Sequence, residues 1–66
     1  MNLQQRETQM YQAWQIGDEF REWCKEGRPL RFGQWFMNRH NITGHSNIFN
    51  ETDSKKAQEL ILKLTF

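Results

Sequence analysis

The chain has one cysteine, one proline, no valine and almost no net charge. Each shortage excludes something. Cys24 alone cannot form a disulfide within the chain, and a lone thiol fits a reducing compartment. Strand interiors favour β-branched and aromatic residues. With no valine, only Ile and Thr supply the branch, which favours helix over sheet. A formal charge of +1, with acids and bases interspersed, is neither a basic nucleic-acid footprint nor an acidic mimic of one. No run approaches the roughly 18 apolar residues of a membrane span. The first residues are polar, so no secretory signal is expected and the cytosol is the expected compartment. The sequons at Asn41 and Asn50 then carry no glycan.

Aromatics are what the chain has instead: Trp14, Trp23, Trp35, Tyr11 and five phenylalanines among 66 residues. A chain this short buries only about 60% of the surface it exposes when unfolded. Large aromatic side chains are one way to stabilise so small a core.

Residues 1–6 read as a frayed polar start, and a helical pattern begins near Thr8. Met10, Ala13, Ile16, Gly17, Phe20, Trp23 and Cys24 fall on one stripe at helical spacing, with Gln12, Gln15, Glu19, Glu22 and Glu26 opposite. Gly17, unfavourable inside a helix, suggests close approach of a second helix. Gly27 and Pro29 end the pattern. A second helix is expected from Leu30 to His40 or Asn41, with Leu30, Phe32, Gly33, Phe36, Met37 and His40 inward. Arg31, Gln34, Trp35 and Asn38 then lie outside that stripe. Residues 41–51 are rich in Gly, Ser and Asn and read as loop, pinned to the core by Phe49. A third helix starts at Thr52 or Asp53, both good N-caps. Its stripe is Ala57, Leu60, Ile61 and Leu64, with Leu62 and Phe66 off it. The expected fold is therefore a compact all-α domain of three helices, with a long loop between helices two and three. Its expected core is Phe20, Trp23, Phe32, Phe36, Met37, Leu60, Ile61 and Leu64.

Little here points to catalysis. His40 and His45 are five residues apart and match no zinc-ligand spacing. Cys24 lies mid-stripe, where burial keeps a thiol inert. No cofactor is implied. Two binding readings remain. In the first, aromatics off the core stripes form a protein-binding surface, with Tyr11, Trp14, Arg31 and Trp35 as candidates. The partner is a host factor or a second copy of the chain. In the second, the helix at 30–41 reads DNA, because Arg31, Gln34 and Asn38 are side-chain types that pair with base edges. Gln34 and Asn38, four apart, are also candidates for bonding the loop backbone at 42–50 and fixing it to helix two. On that reading Asn38→Ala lowers thermal stability more than a surface change does.

The segment Leu30-Arg-Phe-Gly-Gln-Trp-Phe-Met-Asn38, with Asn47-Ile-Phe-Asn-Glu-Thr-Asp53 and a closing helix, resembles a pattern of small bacterial and phage proteins. Gly33, Gln34, Asn38, Phe49 and Asp53 carry the resemblance, which spans roughly residues 28–62. It implies a bacterial or phage origin and no particular activity.

Overall fold

The structure, a computed structural model, describes residues 9–65. The expected fraying at 1–6, the helix start at Thr8 and the position of Phe66 lie outside the described residues. Four helices follow in order: α1 (Ala13–Lys25), α2 (Phe32–His40), α3 (Ser46–Phe49) and α4 (Ser54–Leu62). The described chain is all-α with no extended strand, as expected, but it has four helices, three of them long.

α1 begins later than its periodicity suggests because residues 9–12 serve another purpose. Gln9 pairs with Thr65 in an isolated antiparallel bridge. The Met10 N–H donates to the Leu64 carbonyl at 3.0 Å, and Gln9 Nε2 donates to the Leu62 carbonyl at 3.0 Å. Extended pairing and helix are mutually exclusive for the same backbone, and Gln12 is still extended at φ −87°, ψ 155°. Ile16 and Trp23 then point into the core. The stop at Gly27 is as expected, with φ +89° and Arg28 following at φ +55°. That turn lets the Arg28 N–H donate to the Trp23 carbonyl at 3.0 Å. It satisfies one of the carbonyls a helix end leaves open.

α2 is the central element, with Phe32, Gly33, Trp35, Phe36 and Met37 all buried among its nine residues. Leu30, expected inward, is exposed; its carbonyl accepts from Trp23 Nε1 at 2.8 Å. α2 ends at Asn41, a left-handed cap at φ +59°, and the Ile42 N–H reaches back to the Met37 carbonyl at 2.9 Å.

The stretch read as loop contains α3. Ser and Asn give it weak helix propensity, and tertiary burial overrides that: Ile48 is fully buried, seated on α2 at Gly33. A Cβ on Gly33 would run into the Ile48 carbonyl, so the absent side chain is what admits α3. Gly17, by contrast, has nothing within 4 Å of where its Cβ would be; the close approach expected there occurs at Gly33 instead. The loop is therefore pinned chiefly by Ile48, with Phe49 only half-buried.

α4 begins where expected. The Asp53 carboxylate accepts from the backbone N–H groups of Lys55 (2.9 Å) and Lys56 (3.4 Å). Ala57 and Ile61 are buried, and Leu64 joins them from the turn after the helix. The core unites these with Ile16, Trp23, Phe32, Trp35, Phe36, Met37 and Ile48. Phe20 and Leu60, expected inside, are half-buried at its edge.

Candidate functional site

The four candidate interface residues have different environments. Trp14 is 69% exposed on the first turn of α1. Trp35 is 8% exposed and belongs to the core. Its ring stacks on Phe32 with centroids 6.0 Å apart, and its Nε1 donates to Glu26 at 3.0 Å. The expectation that Trp35 lies outside the helix-two stripe is thus corrected. The core wraps more than half of α2, because α1, α3 and α4 all pack against or beside it.

Tyr11 is half-buried. Its ring meets Phe36 edge-on at 5.0 Å and lies 4.9 Å from the His40 ring. Burial, and secondarily the Glu19 carboxylate, raise its phenol above the ordinary pKa of 10.0. Arg31 is exposed at the N-cap of α2. It follows Leu30, whose carbonyl is bonded to Trp23, nine residues beyond Trp14. At ~1.5 Å per residue, Trp14 and Trp23 are separated by about 13 Å along α1. Trp14 and Arg31 therefore belong to opposite ends of α1, and the four candidates do not form one patch.

A shallow cleft of about 120 Å³ between α1 and α4 is lined by Ala13, Ile16, Gln58, Glu59 and Leu62. Gly17, one turn from Ala13, leaves the adjoining helix surface flat. Among the described residues, Trp14 and Leu30 are the large hydrophobic side chains left exposed. Trp14 follows the cleft residue Ala13 in sequence and is turned about 100° from it around α1.

A polar seam closes α1 against α2. His40 Nε2 lies 2.7 and 2.9 Å from the two oxygens of Glu19. A carboxylate only accepts, which places a proton on that nitrogen. Glu19 also accepts from Gln15 Nε2 at 3.2 Å and lies 3.4 Å from Arg39 Nε. Arg39 pairs further with Glu22 at 2.8 Å, and its guanidinium covers the Trp35 ring at 5.0 Å. These groups are matched to one another and cover a core tryptophan. Among the described residues, no set of three or more His, Cys, Asp or Glu side chains is placed to hold a metal ion.

Gln34 is half-buried and Asn38 exposed, and neither amide bonds the 42–50 backbone. The expected amide anchoring is replaced by main-chain bonding, Ile42 N–H to Met37, and by burial of Ile48. Phe49 lines the recess between α2 and α3. On α2 the outward strip comprises Arg31, Gln34 and Asn38, while Arg39 is held by the acids of α1.

No protein-family model matches this chain, and no curated protein or solved structure matches it significantly. Local sequence could have flagged Ile48: with Phe49 it forms an apolar pair in an otherwise polar stretch. Nothing local flags Trp35, whose burial depends on the whole assembly.

Proposed function

We propose that the chain is a non-enzymatic protein-interaction module, a small cytoplasmic accessory protein of bacterial or phage origin. Trp14 is its principal contact. The observation that carries this is a tryptophan that stays 69% exposed in a chain that buries its other two tryptophans. Exposed tryptophan is unfavourable in water, and a partner that covered roughly 100–150 Å² of it would recover about 3 kcal/mol. Tryptophans are also prominent among residues that dominate interface energetics. The partner is a host protein or a second copy of this chain. Arg31, Tyr11 and Trp35 drop out of the contact surface, the first by distance and the others by burial.

The alternative is DNA recognition by α2, favoured by the exposure of Arg31 and Asn38 on its outer strip. Weighing against it, Arg39 is already paired and the chain carries no basic surplus to drive counterion release. Capture from lysate, run with and without nuclease, tests both. The interaction reading expects a discrete protein retained in both arms. Recovery that disappears with nuclease and falls steeply with salt would overturn it in favour of α2.

A further inference from the structure

We draw no further inference here: the strongest candidate, the surface patch of Lys25, Arg28 and Arg31 around exposed Leu30 at the turn from α1 into α2, carries nothing because its side chains are solvent-exposed, Arg28 is turned onto the Trp23 ring, and nothing in the structure shows what covers it.

Discussion

Replacing Gly33 by alanine adds one methyl group to a helix, a change that ordinarily stabilises by about 1 kcal/mol. Here the sign should reverse. An ideal Cβ at this position collides with the Ile48 carbonyl oxygen and comes within 3.1 Å of both the Ile48 carbonyl carbon and its Cγ2. The obstacle is backbone, not the end of a flexible side chain. α3 must move outward by about 1 Å to restore ordinary contact distances. That motion loosens Ile48, which is fully buried, and strains the Glu51 N–H bond to the Ile48 carbonyl. Because the overlap is with backbone, the upper part of the overpacking range applies, about 2–3 kcal/mol, and a net loss of about 1–2 kcal/mol remains after the propensity gain. In a domain this small each kilocalorie moves Tm by about 4–8 °C. The expected fall is then on the order of 5–15 °C. Gly17→Ala is the control, because its Cβ meets nothing within 4 Å. It should raise stability by up to about 1 kcal/mol. Thermal and urea unfolding of both variants decide the matter. A Gly33→Ala protein as stable as the parent would refute the packing of α3 on α2.

Three further outcomes follow from the same structure. Tyr11 is the only tyrosine, so phenolate absorbance reports it alone; its titration midpoint should lie above 10.0. The folded state holds that proton more tightly than the unfolded chain, so its contribution is full below pH 10.0 and is lost as pH rises through the folded value. A midpoint at or below the ordinary value would contradict the packing of Tyr11 against Phe36 and Glu19. Asp53→Ala removes the acceptor for two backbone N–H groups of α4 and should cost about 1 kcal/mol in urea unfolding, whereas Asp53→Asn should retain most of it. Trp35→Ala should cost about 3–5 kcal/mol while Trp14→Ala stays within about 0.5 kcal/mol, and equal losses would show that Trp14 is packed.

Much of this fold could be read from residues alone where the physics is local. The amphipathic stripes located α1, α2 and α4. The Gly27–Pro29 stop and the Asp53 cap depend on a few adjacent residues, and both stand as expected. What escaped the sequence is set by distant partners. Residues 9–12 carry a helical pattern yet pair with the far end of the chain at Leu64 and Thr65. α3 has poor propensity and exists because Gly33 leaves room for Ile48. Trp35 sits at the stripe's edge by angle, and the α1 acids with Arg39 close over it. Of the candidate interface, Trp14 and Arg31 are exposed, and Trp14 is the aromatic among them that keeps the exposure expected off the core stripe. The amides of Gln34 and Asn38 lack the loop contacts inferred for them, so Asn38→Ala should behave as a surface change.

The most direct test of the central claim compares capture by the parent, Trp14→Ala and Leu30→Ala proteins in nuclease-treated lysate, with sedimentation to register self-association. Trp14 and Leu30 are both exposed hydrophobic side chains, so they control for generic stickiness. The account predicts that a discrete protein, or a second copy of the chain, is lost with Trp14→Ala and kept with Leu30→Ala. Retention of the same partner by the Trp14→Ala protein would contradict it.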